Sequence, residues 1–259
     1  MECRLSLVTA AREGRSYMKD LYVTPPFRVV SVGQLARDGG AYLMVMSSSP
    51  GILDGDHYHV DIRVCESARL QLQSQSYQRL FHMEQGATQQ MNICLERGAS
   101  FSQVPHPIVP HEGSVFHSVC QVDMGEDCSF LQSEIITCGR KHYGEAFRFR
   151  DFRNLLEVRY AGRLLLKDNI RLKPADMPLS SIGLLEGHTH QGTLVYLNTQ
   201  HQPMRETIEE VHSLVETFEG VEFGLSLIAG NGFVLRALGN GGERLLDCFR
   251  AVQQYMWQQ

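Results

Sequence analysis

Three stretches of this chain superpose on one another: "VDIRVCESARLQLQSQ" from Val60, "MNICLERGASFSQVP" from Met91 and "CQVDMGEDCSFLQSE" from Cys120. Each reads as an alternating strand, a short turn with an acidic residue, and a second alternating strand. Ala68, Ala99 and Cys128 take the matching place, so the spacings are 31 and 29 residues. A period near 30 points to stacked β units sharing one continuous core, β-helix-like or solenoid-like. An ordinary β-sandwich is the alternative.

Period-two alternation runs through residues 1–200, the mark of strands half buried on one face. In "HYHVDIRV", His57, His59, Asp61 and Arg63 point one way and Tyr58, Val60, Ile62 and Val64 the other. Prolines at 105, 107, 110, 174 and 178 interrupt the pattern and argue against long helices. The last sixty residues change character. Ile208, Val211, Val215 and Phe218 share one helical face after Pro203, with Glu206, Glu209 and Glu210 outward. Two strands around the turn Gly230-Asn231-Gly232 follow, then a helix after Gly241-Gly242 with Leu245, Phe249, Val252 and Met256 as its apolar stripe. The expected fold is mainly β in a single domain over 1–259. Its β body covers 1–200, and a helix-strand-strand-helix portion over 201–259 packs on that body.

Composition narrows the function. The 259 residues carry 24 basic and 29 acidic side chains with no long Lys/Arg run, so a nucleic-acid partner is not expected. Cys3, Cys65, Cys94, Cys120, Cys128, Cys138 and Cys248 form no Cys-x-x-Cys pair, which fits reduced cytosolic thiols better than a disulfide framework. The N-terminal apolar stretch is short and broken by Ser and Thr, and no run reaches membrane-spanning length; the expected localisation is cytoplasmic, with no membrane partner.

The candidate sites rank unevenly. His57, His59 and Asp61 resemble part of the His-x-His-x-Asp-His metal motif of the metallo-β-lactamase fold, but Ile62 stands where that motif needs its last histidine. They form the basis of an enzyme alternative, a metal-dependent hydrolase. The simpler reading is a solvated strand face, on which His57 and His59 are weak metal candidates. "HTH" at 188–190 reads as a surface turn, and "GNGG" at 239–242 as a turn before a helix, since no Lys-Ser/Thr follows it. No Gly-x-Ser-x-Gly elbow appears, so the chain reads as a binder and not an enzyme. Asp56, Glu134 and Asp168 are carboxylates set among apolar strand residues, which requires a partner or a cation. Arg63, Arg79 and Arg140 are the expected partners.

Four motifs, "TPPF" (24–27), "SPGILDGD" (49–56), "SQSYQRLF" (74–81) and "SEIITCGRKHYGEAF" (133–147), occur in the order found in the urease accessory proteins UreD, also called UreH. The chain resembles that family over nearly its whole length. It departs from the family in Pro50-Gly51, where a double glycine is common, and in Arg79, where a lysine is common. The resemblance implies a non-enzymatic scaffold for nickel delivery. Such a scaffold would bind the accessory protein UreF, reach the GTPase UreG through UreF, and dock on apo-urease. It also implies a β-helix-like fold with two helices, and an internal passage near Asp56, Gln78, Glu134 and Asp168. Nickel would be in transit, with no tightly bound cofactor. The Pro-rich segment 104–113 and the C-terminal helix are the expected docking surfaces.

Overall fold

The computed structural model describes residues 1–33, 37–200, 204–228 and 232–259. In chain order the strands are β1 (Glu2–Arg12), β2 (Arg15–Val23), β3 (Phe27–Ser31), β4 (Ala41–Ser47), β5 (His57–Val64), β6 (Arg69–Ser74), β7 (Gln78–Leu80), β8 (Ala87–Leu95) and β9 (Ser100–Gln103). They continue as β10 (Ile108–Pro110), β11 (Val115–Met124), β12 (Ser129–Thr137), β13 (Asp151–Tyr160), β14 (Arg163–Leu172) and β15 (His190–Asn198). Helix α1 (Arg205–Glu216), strands β16 (Val221–Ile228) and β17 (Gly232–Gly239), and helix α2 (Gly242–Gln258) complete the chain.

These strands make two sheets. The first runs β14-β13-β11-β8-β5-β1-β2. Its centre, β1-β5-β8-β11-β13, is parallel throughout, and an antiparallel hairpin partner closes each side. The second runs β16-β17-β15-β12-β9-β6-β4-β3, with β4-β6-β9-β12 parallel. The three superposable segments lie on neighbouring rungs: Val64 pairs with Leu95 and Leu95 with Met124, while Arg69 pairs with Ser100 and Ser100 with Ser129. The offsets are therefore the 31 and 29 residues of the sequence period.

Between rungs the turns stack as well. The Ser67 amide donates to Arg97 O, and the Gly98 amide to Glu126 O. Ser67, Gly98 and Asp127 all have left-handed backbone (φ 58°, 69° and 56°), a conformation that only glycine adopts without strain. Ala68, Ala99 and Cys128, which follow them, are fully buried, which explains why small residues recur there.

The apolar faces meet between the sheets. Val60, Ile62, Val64, Leu70, Leu72, Ile93, Leu95, Phe101, Val122 and Phe130 form one core, and Tyr58, Leu80, Phe116, Ile136 and Phe152 another. Strands β16 and β17 extend the second sheet through β15, so the C-terminal portion shares its hydrogen-bonded ladder with the β body. Helix α2 buries Leu245, Phe249, Val252 and Met256 against the outer face of that sheet, and Val211 and Val215 of α1 join the same cluster. Pro203 and the turn residues Gly230 and Asn231 lie outside the described residues.

Candidate functional site: a polar hollow between the sheets

Between the two apolar cores lies a cavity of about 250 Å³. Inward strand positions that elsewhere carry Leu, Val or Phe here carry polar groups: Gln89, Ser118, Cys120 and Asn154 from the first sheet face Gln103, Gln132, Glu134 and Thr193 from the second. Asp168 of β14 and Gln78 of β7 complete the polar wall. Donors and acceptors of this kind give a cavity room for hydrogen-bonded water that a purely apolar lining lacks.

Glu134 is the least compensated group. Its side chain is half-buried and lines the cavity. Burial pushes its pKa up to about 8; the Asn154 hydrogen bond opposes that rise and the Asp168 charge adds to it. Among the described residues no basic side chain comes within ion-pair distance of Glu134. Asn154 is held in turn by the Ser118 hydroxyl, which donates to its Oδ1 at 2.6 Å. Cys120 is 7% exposed, and burial pushes its thiol up to about 12.

Asp168 and Gln78 share this wall with Glu134; Asp56 does not. Asp56 is buried at the turn before β5, where its Oδ2 accepts the Leu53 amide at 3.0 Å and its Oδ1 lies 3.2 Å from the Met1 amino group. The ion-pair partners also differ from the expected arginines. Asp168 pairs with Arg236 at 2.6 Å, whereas Arg63 pairs with Glu96 and Arg140 with Glu145. Sequence spacing cannot foresee Arg236, because the contact joins β14 of one sheet to β17 of the other.

The motifs that carry the family resemblance converge near the same hollow. Ile52 of "SPGILDGD" bridges Leu80 of "SQSYQRLF", β7 pairs with β10, and Ile108 of β10 pairs with Ile136 of "SEIITCG". Gly51 is required at this crossing, since a Cβ there would stand 2.4 Å from Arg79 O and 2.8 Å from the Phe81 ring.

The histidine pairs assemble no centre. His57 and Asp61 are exposed and His59 is half-buried, on the outer face of β5. The His57 ring bonds Thr88 at 2.8 Å, His59 pairs with Glu2 at 3.1 Å, and Asp61 accepts from Asn92 at 2.8 Å. Among the described residues no three His, Cys, Asp or Glu side chains stand together as a metal cluster. The hydrolase alternative therefore loses its site. "HTH" is no simple surface turn either: His190 opens β15, is 7% exposed, and burial with the Lys141 charge pushes its pKa down to about 4. The apolar parts of the two expected docking surfaces pack internally. Val104, Pro107, Ile108 and Pro110 are buried, and the apolar stripe of α2 faces the sheet. Large exposed apolar side chains stand elsewhere, at Tyr17, Met18 and Tyr22 of β2 and at Ile182 and Leu184.

Sequence reasoning missed Gln103, Gln132 and Cys120 as wall residues. The repeat held the signal: counted from Ala68, Ala99 and Cys128, the fourth following position is Leu72, then Gln103, then Gln132, and these are neighbours in the ladder. A polar residue replacing leucine at an inward position marks a polar interior.

Two β sheets with a partly polar cavity between them and two C-terminal helices define the class, a mainly β protein. The family model described as UreD urease accessory protein matches residues 1–259, and the chain belongs to that family, one of accessory proteins and not of enzymes. It is 47% identical to the urease accessory protein UreD of Flavobacterium johnsoniae over 98% of this chain and 92% of that protein. The UreD of Acetivibrio thermocellus is 34% identical over 99% of this chain and 97% of its own length, and that of Actinobacillus pleuropneumoniae 30% over 99% and 97%. Among the described residues no helix is long and apolar enough to cross a membrane.

Proposed function

We propose that this chain is a cytoplasmic urease-maturation scaffold that binds UreF, reaches the GTPase UreG through UreF, docks on apo-urease and passes nickel through its interior hollow. Its parallel stack is β-helix-like in this reading, and the ion is cargo, with no resident cofactor. The observation that carries the proposal is Glu134, a carboxyl with no cationic partner among the described residues, lining a cavity with Asp168, Gln78 and a belt of amide and hydroxyl groups. Ni²⁺ accepts carboxylate, amide oxygen and water, and binds thiolate strongly. A passage needs few, exchangeable ligands; a closed cage of thiolates would retain the ion. Asp56 acts here through the turn that sets β5 against β8, beside the wall residues Ile52 and Tyr58.

Glu134→Ala and Asp168→Ala test the reading together. Both variants are expected to co-purify with UreF and apo-urease yet activate urease poorly with nickel. Full activation by both contradicts the passage and leaves the chain a structural adaptor.

A further inference from the structure

We propose that Cys120 Sγ, Met91 Sδ, Gln132 Oε1 and a Glu134 carboxylate oxygen form a transit site for one borderline divalent cation inside the hollow. The site rests on the passage reading above, which supplies the identity of the ion. Cys120 and Met91 are register partners on adjacent parallel strands, β11 and β8, and both line the cavity. Gln132 and Glu134, two residues apart on β12, face them from the second sheet. The Gln132 side chain already spans the two sulfurs. Its Oε1 accepts from Cys120 Sγ at 3.5 Å, and its Nε2 lies 3.7 Å from Met91 Sδ. Two sulfur and two oxygen donors therefore line the same cavity, with Gln132 linking the two sulfurs, a mixed set suited to Ni²⁺, Co²⁺ or Zn²⁺ more than to Mg²⁺ or Ca²⁺.

Charge singles out Cys120. A doubly charged ion in a partly buried site is best neutralised by two anionic ligands. Of the carboxylates in the wall, Asp168 is already matched by Arg236, which leaves Glu134 alone with one negative charge. The Cys120 thiol is the other wall group able to become an anionic sulfur ligand. On binding, the S–H bond breaks, the thiol proton and any carboxyl proton leave to solvent, and metal–sulfur and metal–oxygen bonds form with no change of oxidation state.

The test is Co²⁺ titration of the full chain carrying Cys65→Ser and Cys94→Ser, which removes the two thiols that are not buried. A thiolate-to-metal absorption band saturating at one equivalent is expected. It should vanish with Cys120→Ser and need more metal with Met91→Leu, a change that keeps the core volume. Absence of the band, or its survival in Cys120→Ser at unchanged affinity, overturns the site. If Cys120→Ser fails to fold, as judged by its thermal transition, an unchanged affinity in Met91→Leu overturns it instead. Urease activation on the same proteins separates the two claims. Normal activation by Cys120→Ser alongside poor activation by Glu134→Ala rejects transit through the sulfur while the passage stands. Normal activation by Glu134→Ala and Asp168→Ala rejects the passage, and the titration still decides coordination.

Discussion

Glu134 and Asp168 line one hollow, but only Asp168 has a guanidinium against it: Arg236 Nη2 lies 2.6 Å from its Oδ1. The pair joins β14 of the first sheet to β17 of the second, and Arg236 also donates to the Thr193 hydroxyl at 3.2 Å. One acid of the interior is thus ion-paired across the two sheets. The other is held toward its neutral form by burial.

That contrast sets a pH dependence. The folded pKa of Glu134, about 8, stands above its ordinary 4.5, so the stability contributed by the neutral acid is complete below 4.5 and lost as pH rises through 8. Each pH unit inside that window costs about 1.4 kcal/mol. His190 slopes the other way: its depressed pKa of about 4 gives stability that is present above 6.5 and lost as pH falls through 4. Denaturant unfolding of the chain and of Glu134→Gln between pH 4.5 and 8 isolates the carboxyl. The variant is expected to lose less stability with rising pH, and parallel curves refute the assignment.

The end of α2 is tied to the β body through Asp38. Its carboxylate accepts the Trp257 indole N–H at 2.7 Å, and the Tyr42 hydroxyl at 2.5 Å. Arg69 lies 4.4 Å over the Trp257 ring and donates to its backbone carbonyl. The cluster is partly solvated, so Asp38→Ala is expected to cost about 1 kcal/mol. Trp257 is the sole tryptophan, and its emission should shift to the red in that variant before global unfolding. Unchanged emission shows that the tether is not formed in solution.

The stacked turns allow a paired exchange. Ser67 holds a left-handed φ of 58° that disfavours a side chain, while Gly98 holds 69° one rung later. Ser67→Gly is expected to raise stability and Gly98→Ser to lower it, each by about 1 kcal/mol. A Cβ at Gly98 would meet Ser67 Oγ at 3.3 Å, so part of the second effect is crowding. Thermal unfolding of both variants reads the two signs, and equal signs contradict the turn geometry.

Strand alternation and the 31- and 29-residue spacing were legible in the residues, because a strand buried on one face presents apolar side chains at every second position and the similar segments pair in register. The outward setting of His57, His59 and Asp61 followed from the same rule, as did the buried stripes of α1 and α2. Sequence could not supply what the meeting of two sheets creates. Arg236 reaches Asp168 across a sheet boundary, Asp56 pairs with the Met1 amino group beside the first register pair of β1 and β5, and His190 is buried because Gly242 opens α2 close to its ring. The hollow was half visible: the acids stood out as costly, but Gln132 and Cys120 passed as ordinary members of alternating strands.

The most direct measurement fills the passage. Ser118 is 5% exposed and lines the cavity beside Asn154, so Ser118→Leu puts a branched side chain into the hollow while the outer surfaces stay as they are. Nickel-dependent activation of apo-urease is then measured with the variant complex, after co-purification shows that it has assembled. The account predicts an intact complex that leaves urease inactive; an intact complex that activates urease as fully as the unaltered chain would show that the ion travels by another route.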